Sequence, residues 1–221
     1  MKIMKKEKVS VKEKLGIEKE FLSKGFGLVA GVDEVGRGPL AGPVVCCAVI
    51  MPLEENLLIE GVDDSKKLSA KKREELAAEI KKKAVSYCIY EVSPEVIDEI
   101  NILNAVKLCM VKAVEGLKVK PSALIVDGND THLDFSGDDY LKEIKYVIKG
   151  DAKSYTVGCA SILAKVYRDD LMDSYDSVYP EYGFIKHKGY GTALHIEAIK
   201  NHGLTPLHRK SFTKNFVKQD R

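Results

Sequence analysis

The chain has 221 residues, 45% hydrophobic and 31% charged, which is enough to bury one substantial core in a single domain. No apolar run approaches the roughly 20 residues that span a bilayer, and the Lys-rich start lacks the apolar stretch of a signal peptide. We therefore expect a cytoplasmic protein with no membrane association. The five cysteines are odd in number and form no Cys-x-x-Cys pair, which favours reduced core thiols over disulfides or zinc.

Charge is distributed unevenly along the chain. Residues 1–25 carry eight lysines against four glutamates, and residues 181–221 carry eight Lys or Arg against three acids. Because the net charge of the whole chain is only +2, the middle must be acidic. An acidic centre between basic flanks suits a cation site that receives a polyanion, although ordinary surface charge explains the same distribution equally well.

The hydrophobic pattern predicts alternating strands and helices. A Lys/Glu-rich amphipathic helix over residues 5–24 precedes strands over 27–33 and 44–51. A polar helix from Ala70 to about Lys83, a strand over 85–92 and a helix starting at Pro94 follow. The apolar stripe of that last helix is predicted to face the sheet: Ile97, Ile100, Leu103, Val106, Met110, Val114 and Leu117. Strands over 123–127 and 143–148 and a tightly packed helix from about Thr156 complete an α/β pattern.

Acidic residues lie where predicted strands end. Asp33 and Glu34 end the first strand, Asp127 ends a later one, and Asp151 follows the last one closely. Because the carboxyl ends of parallel strands meet at one edge of a sheet, Asp127 can meet Asp33 there. Any one of these acids could be only a turn residue. Three strands that each end in an acid indicate a shared site.

Two loops have the composition of ligand-binding segments. Gly36 and Gly38 flank Arg37, so the backbone can adopt positive φ and approach a partner closely. Ser65 and Lys66 precede a helix and can hold phosphates, although a solvated loop is the simpler interpretation.

These blocks together resemble the bacterial ribonuclease HII family, the type 2 ribonucleases H. The resemblance extends from about Gly27 to Phe212. Its blocks are, in order, Val32-Asp-Glu-Val-Gly-Arg-Gly38, Asp64-Ser-Lys-Lys-Leu68, Val126-Asp-Gly128, Lys149-Gly-Asp151, Ala160-Ser-Ile-Leu-Ala-Lys-Val-Tyr-Arg-Asp169, Gly189-Tyr-Gly-Thr192 and His208-Arg209. The resemblance implies a ribonuclease H-like α/β fold, a central mixed β-sheet flanked by helices, with a small helical C-terminal part.

The same resemblance implies that Asp33, Glu34, Asp127 and Asp151 are the catalytic, metal-binding carboxylates, with Asp169 as the rival for the fourth place. Crowded carboxylates repel one another, and hard divalent ions that prefer oxygen relieve this repulsion. Two ions, Mg²⁺ or Mn²⁺, are thus expected. Placed about 3.5 to 4 Å apart, they can activate a water and stabilise the leaving oxygen of an in-line displacement at phosphorus.

The activity implied by the resemblance is metal-dependent hydrolysis of the RNA strand of RNA/DNA hybrids. It includes cleavage 5′ of single ribonucleotides embedded in duplex DNA, as in ribonucleotide excision repair, leaving 5′-phosphate and 3′-hydroxyl ends. The hybrid and the ribonucleotide-containing duplex are the expected partners of a monomeric enzyme. Gly36-Arg37-Gly38 is implied to read the 2′-hydroxyl, Ser65 and Lys66 to bind substrate, and Tyr190 to pack on the deoxyribose after the ribonucleotide.

We divide the chain into a Lys-rich helical extension (1–24), the catalytic domain (25–180) and a helical substrate-binding segment (181–221). In the last, residues 182–192 interleave basic and aromatic residues with glycines, as a surface that stacks on bases would. The first 24 residues lie outside the shared pattern, and we expect their removal to leave catalysis in place.

Three alternatives differ in what they require. The ribonuclease HIII type would bring a larger N-terminal substrate-binding domain, for which 26 residues before the first strand are too few. A nucleic-acid binder without catalysis has no use for clustered acids, which repel phosphate. A phosphoesterase acting on small molecules could use the acids but gains little from the basic aromatic segment.

Overall fold

A five-stranded mixed sheet forms the centre of the computed structural model, which describes residues 10–129, 132–135 and 139–216. The strands are β1 (Val29–Val35), β2 (Val44–Ile50), β3 (Ser86–Val92), β4 (Ala123–Asp127) and β5 (Glu143–Val147). Their order is β3-β2-β1-β4-β5, with β1, β2 and β3 paired antiparallel, and β1, β4 and β5 paired parallel. The predicted α/β class and mixed sheet are confirmed.

Helices cover both faces of this sheet. They are α1 (Gly16–Ser23), α2 (Ala70–Lys83), α3 (Pro94–Glu115), α4 (Gly150–Lys153), α5 (Tyr155–Val178), α6 (Phe184–His187), α7 (Ala193–His202) and α8 (Lys210–Thr213). Helices α2 and α5 pack on one face and α3 packs on the other, giving two separate apolar layers. Among the described residues, none of these helices is both long and apolar enough to cross a membrane.

Helix α3 departs from its predicted apolar stripe. Asn101 interrupts it with φ 66° and ψ 164°, and the Asn101 side chain accepts a hydrogen bond from the Asn104 amide, which restarts the helix. Ile97 and Val106 are buried on either side of the break. Leu103, predicted to face the sheet, is instead 47% exposed. The regular spacing could not anticipate this, because the break changes the face that the helix presents.

The N-terminal segment packs against the domain body. A 3₁₀ turn (Glu13–Leu15) leads into α1, whereas residues 5–9 of the predicted helix lie outside the described residues. Leu15 lies in the apolar layer under α5, and Phe21 packs with residues of β1, β4 and α5. A boundary after residue 24 stays a prediction, and the contacts of residues 11–21 join them to the domain core.

The C-terminal segment does not expose the aromatic surface expected for residues 182–192. Tyr182 and Phe184 are buried and stack at 5.5 Å between ring centroids. Together with Leu40 and Met172 they form a small core beneath α7. Tyr190, 44% exposed, is the one aromatic side chain of this stretch that reaches the surface. Residues 217–221 of the predicted segment lie outside the described part of the chain.

Candidate active site

Two neighbouring parallel strands carry the central acids. Val32 of β1 pairs in register with Val126 of β4, so Asp33 and Asp127 follow at the same level. Strand β1 does not end at Asp33, as the predicted range 27–33 has it, but continues to Val35, because Asp33 and Glu34 still pair with β2.

Helix α5 fixes the position of β1 just before these acids. A Cβ at Gly31 would lie 2.5 Å from the backbone of Thr156, so only glycine allows this close approach. Asp33 is therefore placed by a strand that is held on both edges by neighbouring strands and on one face by α5.

The three carboxylates come together as predicted. Oxygen atoms of Asp33, Glu34 and Asp127 all lie within 4.8 Å of one another, and we call these three residues the acidic cluster. Asp33 is 5% exposed, and its Oδ1 accepts a 2.7 Å hydrogen bond from the Glu34 amide. Asp127 Oδ1 accepts one of 2.6 Å from the Gly150 amide.

Burial and the repulsion between neighbouring carboxylates make Asp33 and Glu34 costly to ionise. Burial raises the pKa of Asp33 well above its ordinary value, and the charges of Glu34 and Asp127 raise it further. Burial also raises the pKa of Glu34, although Arg37, whose Nη1 lies 3.4 Å from Glu34 Oε1, opposes the shift. A group of acids in this state favours a cation.

Asp151 lies near the acidic cluster but is not one of its three members. It belongs to the first turn of α4, after Lys149 in the left-handed conformation (φ 58°), and not to a strand end. Burial raises the pKa of Asp151, and the charges of Asp64 and Asp127 add to the shift. Asp64 is an acid of this site that sequence reasoning missed, although it stands directly before Ser65 and Lys66.

Asp169, the rival for the fourth carboxylate, faces elsewhere. Its two oxygens pair with Lys165 Nζ at 2.6 Å and with Arg73 Nη2 at 3.5 Å. The pair with Lys165 lies within α5, the contact with Arg73 joins α5 to α2, and the two give Asp169 a structural position.

Lys66 is a cation close enough to the acids for their charges to act on it. Partial burial lowers its pKa, but the charges of Asp151, Asp33 and other nearby carboxylates outweigh this and raise it overall. Ser65 is buried, and its Oγ lies 2.9 Å from Ser161 Oγ. Ser161 in turn lies near Asp33 and, as a potential hydrogen-bond donor, opposes the rise in the pKa of Asp33. Direct contact of Ser65 with substrate stays a prediction. Ser161, a small polar residue in an apolar helical run, was not singled out from the sequence.

The Gly36–Gly38 loop is only partly as expected. Gly36 has φ 92°, and a Cβ there would lie 2.4 Å from Arg168 Nε. Gly38 does not need positive φ; a Cβ there would lie 3.8 Å from the Tyr190 ring, in open van der Waals contact. The Arg37 side chain is 51% exposed beside Glu34. The structure thus brings Gly38 and Tyr190 together next to the acidic cluster.

Two buried arginines hold the Gly36–Gly38 loop and the residues after it through hydrogen bonds to main-chain carbonyls. Arg168 donates to the carbonyls of Pro43, Ala41 and Lys188 at 3.0 to 3.1 Å. Arg209 donates to the carbonyls of Gly36, Arg37 and Gly42 at 2.6 to 3.0 Å. Burial, followed by the charge of Arg168, lowers the pKa of Arg209 to about 9. Both arginines belong to the blocks that carry the family resemblance, but their positions in the sequence do not reveal the carbonyls that they hold. A charged residue within an otherwise small and apolar helix was the available signal for Arg168.

Three histidines support Tyr190. His195 Nδ1 bonds the Tyr190 carbonyl at 3.0 Å, and His195 Nε2 lies 3.1 Å from His208 Nε2. The ring of His187 stacks on that of His195 at 4.5 Å. Burial lowers the pKa of both His195 and His208 to about 4, so this histidine group is neutral at physiological pH.

Comparison with known proteins agrees with this geometry. The family model for ribonuclease HII matches residues 30–215. The chain belongs to the ribonuclease HII family. A ribonuclease HII of Ruminiclostridium cellulolyticum is 51% identical over 203 residues, covering 92% of this chain and 76% of the relative. That of Clostridioides difficile is 51% identical over 200 residues, covering 90% and 75%. The chain is therefore a ribonuclease H, an endonuclease that acts on RNA/DNA hybrids.

Solved structures agree on the ribonuclease HII fold. The ribonuclease H2 of Pyrococcus horikoshii superposes with a TM-score of 0.71 at 29% identity, over 86% of this chain and 96% of that one. A ribonuclease HII of Archaeoglobus fulgidus, solved in complex with PCNA, gives a TM-score of 0.71 at 30% identity, over 86% and 97%. Bst-RNase HIII, solved in complex with Mn²⁺, gives 0.63 at 20% identity, over 84% and 67%, and shares the fold.

Proposed function

We propose that this enzyme cuts duplex DNA on the 5′ side of a single embedded ribonucleotide, besides acting on RNA/DNA hybrids. One observation carries the proposal: the loop containing Gly36 and Gly38 joins the acidic cluster directly to the exposed ring of Tyr190. A nucleotide bound on this loop would have its phosphate beside the carboxylates and the next sugar beside the ring. Its products would be a 5′-phosphate and a 3′-hydroxyl.

The acidic cluster fits divalent metal ions. Its donors are carboxylate oxygens, which Mg²⁺ and Mn²⁺ prefer, and burial together with mutual repulsion disfavours the cluster without a cation. Asp33, Glu34 and Asp127 would hold the metal, with Asp151 as the fourth carboxylate. Two bound ions would supply an activated water and stabilise the leaving oxygen.

The surrounding residues orient the substrate. Lys66, which the charges of these acids influence, would offer its ammonium group to a phosphate bound at the acidic cluster. The Gly36 and Arg37 carbonyls are engaged by Arg209, which fixes the loop before substrate arrives. A loop fixed in advance does not lose freedom on binding, so the 2′-hydroxyl can be recognised by the backbone at low entropic cost.

Tyr190 would recognise the junction between RNA and DNA. Its ring would pack on the deoxyribose that follows the ribonucleotide, where a ribose would place a hydroxyl against an apolar face. The His195 bond to the Tyr190 carbonyl and the neighbouring Gly38 keep the ring at the surface and leave space beside it.

An activity panel tests this proposal. The substrates are a DNA duplex with one ribonucleotide, a full RNA/DNA hybrid and a plain DNA duplex, each with Mg²⁺, Mn²⁺ or a chelator. We expect cleavage of the first two, one cut 5′ of the ribonucleotide, and no cleavage of plain DNA or with chelator. Cleavage of the hybrid alone would contradict the proposal, and hydrolysis of small phosphodiesters would favour a small-molecule phosphoesterase.

Asp127→Asn is the matched variant for this panel. It removes one carboxylate charge at nearly constant volume and can still accept the 2.6 Å bond from the Gly150 amide. We expect cleavage to be nearly abolished while duplex binding and the melting temperature remain. Near-normal turnover of this variant in Mg²⁺ would refute the metal assignment.

A further inference from the structure

We propose that Lys14 and Glu18, two buried charged residues of the N-terminal segment, are positioning residues that brace the 3₁₀ turn carrying Lys66 and the short helix α4 carrying Asp151. Both lie ahead of residue 30, where the match to the family model begins. Lys14 is 3% exposed and Glu18 is fully buried. The expectation that the first 24 residues contribute nothing to catalysis is revised by this inference.

Lys14 holds the residues that precede the 3₁₀ turn. Its Nζ donates to the Val62 carbonyl at 3.1 Å and to Asp63 Oδ1 at 2.7 Å. The same Asp63 oxygen accepts from the Asp64 amide at 2.9 Å. Ser65 and Lys66 follow immediately in a 3₁₀ turn. Lys14 thus fixes the chain just before Ser65, which bonds Ser161, and Lys66, for which we propose a contact with the substrate phosphate.

Glu18 holds the junction between α4 and α5. Its Oε1 accepts three hydrogen bonds: from Ser154 Oγ at 2.6 Å, from the Thr156 amide at 3.0 Å and from Thr156 Oγ1 at 2.9 Å. Ser154 is also the N-cap of α5, where its Oγ accepts from the Val157 amide. A carboxylate at the N-terminus of a 24-residue helix is further favoured by the helix dipole.

Only a short helix separates Glu18's contacts from the acidic cluster. Ser154 ends α4, and its amide donates to the Gly150 carbonyl at 2.8 Å. The Gly150 amide in turn donates to Asp127 Oδ1. Asp151 lies within this four-residue helix, so its position is fixed at one end by Asp127 and at the other by Glu18.

The cost of burying these charges favours a positioning role. A buried ion pair contributes little to the free energy of folding, since apolar residues of similar volume at the same positions often stabilise a protein as much or more. The Oε2 atom of Glu18 has no hydrogen-bond partner among the described residues, which adds to that cost. What the charged groups provide, and apolar ones cannot, is directional contact with the Val62 carbonyl and the Ser154 hydroxyl at fixed positions.

The test uses point variants of the full chain, because Leu15 and Phe21 belong to the core and truncation would remove them as well. Glu18→Leu removes the acceptor, whereas Glu18→Gln keeps an oxygen for the same three donors. Lys14→Met keeps the stem and removes the ammonium. Exposed neighbours on the same segment supply the controls: Lys12→Met and Glu20→Gln.

We expect Glu18→Leu and Lys14→Met to lower kcat on an RNA/DNA hybrid by about tenfold to a hundredfold, the usual cost of removing a group that orients a site residue. KM should change little, because the duplex-binding surface is intact. Glu18→Gln should recover most of kcat, and both controls should match the wild type. Glu18→Leu should also weaken Mn²⁺ binding, measured from the free Mn²⁺ signal in electron paramagnetic resonance.

This inference rests on the roles proposed above for Asp151 and Lys66. The bracing role and the proposed function can nevertheless be refuted separately. A wild type that does not cut at a single ribonucleotide refutes the proposed function. Variants that are folded and equal the wild type in kcat and Mn²⁺ affinity refute the bracing role, even if their melting temperatures fall. If Glu18→Leu does not fold, Thr156→Val takes its place, because it removes one donor to Glu18 at constant volume. An unchanged kcat in both Thr156→Val and Lys14→Met would overturn the proposal.

Discussion

Asp33→Asn should stabilise the metal-free protein while abolishing its activity. The charge of Asp33 lies within 4.8 Å of two other carboxylates, so at an effective dielectric constant of about 20 each repulsion amounts to about 3.5 kcal/mol. Arg37, Ser161 and partial protonation already relieve some of this, which leaves a net gain of about 1 to 3 kcal/mol. For a chain of this size that raises Tm by about 2 to 10 °C. An asparagine oxygen can still accept the bond from the Glu34 amide.

The pH dependence of this gain has a definite sign. The raised pKa of Asp33 means that the folded state holds its proton more tightly than the unfolded chain, so the wild type loses stability as pH rises through that pKa. The advantage of the variant should therefore be small near pH 4 and larger at pH 8.

Thermal melts of both proteins, with chelator and with Mn²⁺, measure the effect. We expect Mn²⁺ to raise Tm of the wild type and to leave that of Asp33→Asn nearly unchanged, since a ligand stabilises only the state that binds it. Asp169→Asn is the control, because it breaks pairs with Lys165 and Arg73 and should lower Tm equally in both conditions. A metal-free Asp33→Asn that melts below the wild type would refute the repulsion described for this cluster.

Three further outcomes are expected. Tyr190→Ala should lose about 1 to 3 kcal/mol of transition-state stabilisation on a duplex with one ribonucleotide, which is the scale of an aromatic stacking contact. Tyr190→Phe should lose much less. Equal kcat/KM values for the wild type and both variants would exclude a role for the ring. Arg209→Met should lower the free energy of unfolding in urea by about 1 to 3 kcal/mol for each loop carbonyl left without a donor, and an unchanged value would show that the loop is held by other contacts. Because the pKa values of His195 and His208 are lowered to about 4, the unfolded chain binds more protons between pH 4 and 6.5, so stability should fall as pH decreases through this window. His195→Gln should weaken that dependence in urea melts at pH 5 and 7, and an identical slope would contradict it.

Features set by neighbours in sequence could be predicted. The helices predicted to begin at Ala70 and Pro94 do begin there, because the side-chain oxygens of Ser69 and Ser93 each reach the amide three residues on. Asp33 and Asp127 meet because parallel strands end at one edge of a sheet, which hydrophobic runs already indicate.

Features that depend on contacts between residues distant in sequence could not be predicted. The Lys/Glu-rich N-terminal segment has the composition of a solvated helix, and only its contacts with Val62 and Ser154 show that Lys14 and Glu18 are buried. The same holds for residues 182–192. Their sequence resembles a surface that stacks on bases, but Tyr182 and Phe184 instead form part of the small core beneath α7. Local spacing does not reveal which side of such a segment another part of the chain will cover.

The arginines that hold the Gly36–Gly38 loop determine which of its residues can be substituted without moving the backbone. Arg168 and Arg209 contact main-chain oxygens of residues 36–43, so the course of the loop does not depend on the side chains that the loop displays. The half-exposed side chain of Arg37 could then be replaced without redirecting the backbone. A library that varies residue 37 while keeping both arginines would therefore test whether this side chain influences substrate choice, with the backbone of the loop unchanged.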